Sequence, residues 1–344
     1  MSSLAKCLEK FWYSKNPFVW LVWPLTLPFY LLTLIRRGCY QIGLFKVVQV
    51  DKPVVVVGNI TAGGTGKTPF IGFLVKNLQS KGLKVAVVSR GYGGNYSEPV
   101  HLVSETDSVE KIGDEVFMQF NRLNVPMAVS KNRVLAVEVL IANYDIDLVI
   151  SDDGLQHYPM GRCYEIALID SHRAFGNRMM MPFGPLREPV SRLKSVDFVI
   201  ENVNHLNSQK VAGNEFQVTS ARMNLEVEGF FHLLSETPVT SANFSESRVV
   251  AVAGIGNPQR FFSTLQTCCK SFEKCIFPDH HQFTEADFGY SEDTIVIMTE
   301  KDAVKCRSFA KSNWYYLRVK VEMPENSFKK LYNHLSQQCL ENLL

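Results

Sequence analysis

The chain has 344 residues, with 36 Lys+Arg against 34 Asp+Glu, a formal net charge of +2, 46% hydrophobic and 20% charged residues. This leaves room for two globular domains, and with no long Lys/Arg run to neutralise a phosphate backbone it argues against a nucleic-acid protein. The eight cysteines are scattered without a Cys-x-x-Cys, so neither a zinc ribbon nor a secreted disulfide framework is signalled and a reducing cytosol is the simplest home.

The N-terminus departs from ordinary globular patterning. From Asn16 to Ile35 there is no charge, a length close to what a bilayer core requires of a helix. Pro24 and Pro28 interrupt the run, and each removes a backbone donor that lipid cannot replace. Trp12, Trp20 and Trp23 suit a headgroup boundary, while Lys6, Lys10 and Lys15 before the run and Arg36, Arg37 and Lys46 after it put positive charge on both sides. A membrane-associating helix over residues 1–38, lying in the cytoplasmic leaflet, is expected in preference to a full span; a buried core helix is the alternative. No small-residue cleavage site marks a signal peptide.

A β-branched strand then empties into a glycine-rich turn, Val54 to Thr68, ending Gly66-Lys67-Thr68. Gly63, Gly64 and Gly66 let backbone N–H groups approach phosphate oxygens, and the turn feeds a helix N-terminus. Lys67 is placed to reach the β/γ-phosphates and Thr68 to hold Mg²⁺. The strict pattern asks for Gly where Thr61 stands, so the match is a variant, supported by the strand before and the amphipathic helix after (Phe70, Leu74, Val75, Leu78).

Apolar strands continue to alternate with helices: Val85–Val88, Leu148–Ile150, Ile166–Ile169 and Val196–Ile200, with helices near Pro69–Lys81, Asp114–Asn124 and Arg133–Tyr144. This is the pattern of a parallel α/β sheet, in which ligands sit beyond the carboxyl ends of the strands. The expected division is a P-loop domain over 39–214, a β-rich connector over 215–247 and a smaller α/β unit over 248–344. In the last unit Val249–Ala253, Thr294–Met298 and Tyr315–Val321 read as strands, and Gln259–Phe272 and Ser327–Leu343 as helices. Gly254-Ile-Gly256 lacks its third glycine and reads as a tight strand-to-helix turn.

Several polar groups sit where chemistry is expected. The strand from Leu148 ends in Asp152 and Asp153, acids suited to Mg²⁺ beside a P-loop; an Asx-type turn before Gly154 is the alternative. If the strand continues, the two carboxylates face opposite ways. Arg90, in a glycine-rich loop after the second strand, offers a phosphate clamp or a plain surface ion pair. Asp114 opens a helix, and sequence does not separate cap from catalyst. Asp279, His280 and His281 are adjacent, but neighbours in sequence rarely chelate one ion, so a His acting with a carboxylate is the better reading and a solvated His pair stays open.

Taken together, Gly58–Pro69, Ser89–Gly94, Gly113–Glu115, Asp152–His157, Gly184–Pro189, Asp279-His280 and Thr299–Asp302 closely resemble the tetraacyldisaccharide 4'-kinase family, the lipid A 4'-kinases of Gram-negative bacteria. The resemblance runs in the family's order from the hydrophobic N-terminus to about Asp302. It implies a P-loop NTPase-type sheet domain joined through a β-ribbon to a smaller α/β domain. It also implies ATP-dependent, Mg²⁺-assisted phosphorylation of the 4'-hydroxyl of a tetraacylated disaccharide 1-phosphate at the cytoplasmic face of the inner membrane, with a lipid substrate and no obligate protein partner. By motif, Thr61, Ala62, Gly63, Gly64, Thr65, Gly66, Lys67 and Thr68 form the nucleotide cradle, and Thr68, Asp152 and Asp153 the metal site. Asp114 matches the proposed general base with His280 as its partner, and Asn59, Arg90 and Arg187 are the substrate candidates. Val116 departs from the Pro that many members carry there. A deviant-Walker ATPase is disfavoured because Ala62 replaces the required Lys; another P-loop kinase or ligase and a nucleotide-binding membrane adaptor are the remaining rivals.

Overall fold

The computed structural model describes residues 11–13, 17–203, 218–240, 244 and 247–340. Lys6, Lys10 and Lys15 of the expected anchor, most of the start of the expected connector and the last four residues lie outside these. The uncharged N-terminal run is not one helix. A 3₁₀ helix, Pro17–Thr26, contains Pro24, and α1, Leu27–Gln41, carries Pro28 in its first turn. There a missing N–H is tolerated, so the prolines set a boundary between two helices. Among the described residues no helix is long and apolar enough to cross a membrane. Phe29 and Tyr30 pack against the core, whereas Leu31, Leu32 and Ile35 are exposed by 52%, 63% and 62%.

The first half of the sheet follows the strand-helix alternation. Its strands are β1 (Val54–Gly58), β2 (Val85–Ser89), β3 (His101–Leu102), β4 (Met127–Val129), β5 (Leu148–Asp152), β6 (Tyr164–Asp170) and β7 (Phe198–Val203). Its helices are α2 (Lys67–Gln79), α3 (Asp114–Leu123) and α4 (Arg133–Asn143). β1 lies between β5 and β6, all parallel, and both of its faces are covered: Val55 and Val57 belong to one apolar cluster, Val54 and Val56 to the other. Burial on both faces is why this strand reads as an unbroken apolar run.

The remaining elements are β8 (Ser220–His232), β9 (Pro238–Val239), β10 (Val249–Ala253), α5 (Pro258–Gln266), β11 (Glu273–Ile276), β12 (Ile295–Thr299), α6 (Glu300–Cys306), β13 (Trp314–Glu322) and α7 (Glu325–Cys339). The expected connector is a shared strand: β8 pairs parallel with β7 through Ser220–Asn224, then antiparallel with β13 as far as His232. One sheet of 13 strands therefore runs through the described chain, with a register shift between Arg318 and Val319. The expected helix over Gln259–Phe272 ends at Gln266, and the edge strand β11 follows. Glu273, Lys274 and Ile276 of that strand are exposed, so no alternation marks it in the sequence.

The closing helix returns to the first half. Leu331, Leu335 and Leu340 share a cluster with Phe70 and Leu74 of α2, and Tyr164 Oη meets His334 Nδ1 at 2.7 Å. At the same seam Cys163 and Cys339 form a disulfide, 176 residues apart with Cα atoms at 5.6 Å. The cysteine spacing gave no sign of it, because the pair is created by α7 docking beside β6.

Candidate functional site

The turn after β1 has the backbone and side-chain geometry expected of a phosphate cradle. Gly66, the residue before α2, has φ +92°, and a Cβ there would lie 2.5 Å from Asn202 Nδ2, so only glycine fits. Thr61 is accommodated because the positive-φ positions of the turn are Gly63 and Gly66. Thr61 bridges Leu186, and the Ala62 N–H donates to Pro185 O at 2.7 Å, so the loop at Gly184–Glu188 braces the first part of the cradle.

Lys67 Nζ donates to Asn59 Oδ1 at 3.0 Å and lies 3.4 Å from Asp153 Oδ1; Asn59 Nδ2 in turn donates to Thr61 O at 2.6 Å. Asn59 thus orients Lys67 from within the cradle. β5 ends at Asp152, and Asp153 turns away with φ +50°, so the two carboxylates diverge. Burial pushes the Asp152 carboxyl up to about 6, with the Lys67 charge opposing, and Gln119 Nε2 donates to it at 2.9 Å. Burial would raise Asp153 too, but Lys67 and Arg187, the latter donating to Oδ2 at 2.8 Å, hold it well below the usual carboxylate range.

The donor set suits a hard cation. Asp153 Oδ1 is buried and accepts no hydrogen bond, its ion pair with Lys67 apart, Asp152 is a buried carboxylate only partly compensated by Lys67 and Gln119, and Thr68 lines the same space. Among the described residues no cluster of three His, Cys, Asp or Glu is gathered as a self-sufficient metal site. A cation held here takes its other ligands from phosphate and water, as Mg²⁺ commonly does.

The second group of residues joins the two halves of the sheet. Gly113, with φ +88°, occupies the cap position of α3; a Cβ there would stand 2.4 Å from Tyr92 O. Asp114 is the first helical residue, its Oδ1 accepting from the Glu115 N–H at 2.8 Å and its Oδ2 facing His280 Nδ1 at 3.1 Å across 166 residues of sequence. His280 lines the cleft against the Tyr92 ring, and Asp114 lies behind it, 6% exposed. Burial pushes the Asp114 carboxyl up, but the His280 hydrogen bond together with the charges of Lys301, His280 and Lys305 outweighs it and brings it below its ordinary value; the same hydrogen bond raises His280. His281 pairs elsewhere, with Asp287 at 3.3 Å, so the adjacent histidines do not act as one metal site.

A cavity of about 1180 Å³ connects these groups, from Leu32 and Arg36 on α1 past the cradle to His280 and Lys301. Arg90, exposed on its loop, and Arg187 line it as well. Three contacts across the cleft were not legible. Arg260 of α5 reaches Asn202 Oδ1 and, at 3.4 Å, Asp170; Asn202 Nδ2 donates to Thr65 O at 2.9 Å, linking α5 to the cradle. Arg122 of α3 donates to Glu300 at 3.0 Å and to Val319 O at 2.7 Å. Lys301 of α6 reaches Glu115 at 2.9 Å. The Thr299–Asp302 motif signalled the last of these, but without a partner to give it a role.

The Asp114–His280 contact has a pH window. Asp114 is depressed from 3.8, so its contribution is present above that value and is lost as pH falls through the lower folded one. His280 is raised from 6.5, so its contribution is complete below that value and is lost as pH rises through the higher folded one. Denaturant titrations of wild type and His280→Ala should therefore differ most between 3.8 and 6.5. A stability gap that does not change with pH would contradict the pairing.

A model of the tetraacyldisaccharide-1-P 4'-kinase family, LpxK, matches residues 18–337. The chain is 40% identical over 337 residues to the tetraacyldisaccharide 4'-kinase of Methylobacillus flagellatus, with 97% of each chain covered. It is 40% identical over 331 residues to that of Legionella pneumophila, covering 96% of this chain and 98% of the relative. Among solved structures, LpxK from Aquifex aeolicus in complex with ATP superposes with a TM-score of 0.76 at 26% identity, over 92% of this chain and 99% of that one. The chain belongs to the tetraacyldisaccharide 4'-kinase family.

Proposed function

We propose that this chain uses ATP to phosphorylate the 4'-hydroxyl of a tetraacylated glucosamine disaccharide 1-phosphate, a step of lipid A assembly. The family membership and the names of its relatives support the reaction. The observation that carries it is the single cleft in which the Lys67–Asp153 cradle faces His280, with Asp114 behind it.

Phosphoryl transfer of this kind asks the protein for positioning and charge stabilisation more than for covalent chemistry. The N–H groups between Thr61 and Thr68 bind the phosphates, and Lys67, oriented by Asn59, neutralises charge on the group in transfer. Thr68, Asp152 and Asp153 hold Mg²⁺, which shields phosphate charge when bound. The Asp114–His280 pair takes the proton of the 4'-hydroxyl, with His280 facing the cleft and Asp114 stabilising the charge that develops on it. Arg90 and Arg187 line the acceptor side as anion contacts.

Two lobes, divided along β8 and β13, close on the substrate, the first carrying the cradle and the second bringing His280. Closure excludes water and completes the site. Transfer of labelled γ-phosphate to the defined lipid acceptor tests the reaction. Lys67→Ala should abolish nearly all of it while leaving thermal stability intact, and wild-type turnover at saturating ATP would remove the cradle from the mechanism.

The enzyme works at the cytoplasmic face of the inner membrane, with α1 lying in the leaflet. Support comes from its exposed Leu31, Leu32 and Ile35, with Leu21 and Leu25 exposed just before it, an apolar patch beside the mouth of the cleft. Leu31→Asp combined with Ile35→Asp should reduce flotation with anionic phospholipid vesicles without weakening ATP binding. Undiminished flotation of that variant in high salt would mean that another surface makes the attachment.

A further inference from the structure

Lys301 is the most densely contacted cation of the cleft. It stands at the start of α6 with its side chain 13% exposed, and its Nζ lies 2.9 Å from Glu115 Oε1, 3.3 Å from Asp279 Oδ1, 3.3 Å from His280 Nε2 and 3.9 Å from Asp114 Oδ2. An ammonium group only donates hydrogen bonds. In the neutral ring His280 Nε2 is then the acceptor in the Lys301 contact, which leaves the ring proton on Nδ1, where it faces Asp114 Oδ2. The two nitrogens of one imidazole are thus assigned by two partners, one from each half of the sheet.

We infer that Lys301 is a positioning residue of the transfer reaction: before the acceptor docks it occupies Nε2 of His280 and so fixes the Nδ1–H tautomer, and through Glu115 it ties that ring to the start of α3; the docking 4'-hydroxyl displaces the ammonium from Nε2, the nitrogen that then takes its proton. The inference rests on the role proposed above for that pair. It adds a residue whose work is done through His280 and not on the substrate. Glu115 belongs to the first half of the sheet and Asp279, His280 and Lys301 to the second, so the ion pair and the tautomer form together.

The electrostatic setting favours this arrangement. Around the pair stand Lys301 and Lys305 from α6, Glu115 from α3, Asp279 from the loop after β11, and the Tyr92 ring from the Arg90 loop. Lys305 lies 3.8 Å from Asp114 and is itself bound to Asp302 at 2.9 Å, so part of its charge is already matched. Lys301 opposes a second proton on His280 and favours the ionised form of Asp114. Without it both groups should titrate at higher pH, and the acid limb of the rate profile should rise.

Lys301→Met, Lys301→Arg, His280→Ala and Asp114→Ala, assayed with ATP and the tetraacyl disaccharide 1-phosphate, separate the possibilities. Lys301→Met should lower kcat by roughly 10–100-fold, the usual loss when a partner that orients a working imidazole is removed. The KM for ATP should stay unchanged, and the acid limb of kcat/KM should move to higher pH. Lys301→Arg, still a donor only, should restore the limb, and Lys301→Met should cost little further in the His280→Ala background. If His280→Ala is impaired while Lys301→Met keeps wild-type kcat and an unmoved limb, the inference fails and the dyad stands. If His280→Ala and Asp114→Ala both work normally, the dyad itself fails. Independently of how any variant folds, the ¹⁵N shifts of His280 in the wild-type enzyme, followed to a pH above its raised titration, should report a neutral ring protonated on Nδ1; a neutral ring protonated on Nε2 would overturn the assignment.

Discussion

β8 belongs to both halves of the molecule. Its first residues add to a parallel sheet whose carboxyl edge carries the Gly63–Thr68 turn, and the remainder pairs antiparallel with β13, beside the strands β12, β10 and β11, whose following helix and loop carry Lys301 and His280. Because the hydrogen bonds of one strand continue from one half to the other, the second half cannot drift away from the first; its freedom is limited to twist and bend along a two-stranded ribbon. The register shift between Arg318 and Val319 concentrates extra twist in that ribbon.

Charge pairing follows from the same geometry. The walls of the cleft bring together Lys67 with Asp153, Arg187 with Asp153, Lys301 with Glu115 and Arg122 with Glu300. Pairs of this kind add little net stability when partly exposed. Their value is in register: Lys301–Glu115 and Arg122–Glu300 join elements from different halves, while Lys67 and Arg187 converge on Asp153 within the first. Asp152 is the exception, with burial pushing its carboxyl up to about 6 and only partial relief from Lys67. A binding site for a cation is where an under-compensated carboxylate is useful.

How much was legible depended on whether the signal was local. The strand–turn–helix unit from Val54 to Gln79 was readable because strand, glycines and Lys67-Thr68 are consecutive, and the buried strands because parallel sheets leave continuous apolar runs. Asp114 and His280 were paired only through family resemblance, since nothing in a run of residues says which distant loop a helix start will face. The Arg260–Asn202–Thr65 chain and the Cys163–Cys339 bond were invisible for the same reason: each exists because a helix from one part of the chain docks on another. Short or edge strands such as His101–Leu102 and Glu273–Ile276 lack the burial that creates a pattern. At the N-terminus the uncharged run and its prolines were plain to read, but the division into two helices depended on where those prolines fell relative to a helix start.

If the two halves of one continuous sheet supply a single working unit, Asp114 from one and His280 from the other, a double-mutant cycle on kcat will show it. Asp114→Ala and His280→Ala should each lower kcat by roughly 10²–10⁴-fold, and the double variant should be little worse than the poorer single one, since groups that act as a unit are not additive. Losses that multiply, in variants of unchanged thermal stability, would contradict it.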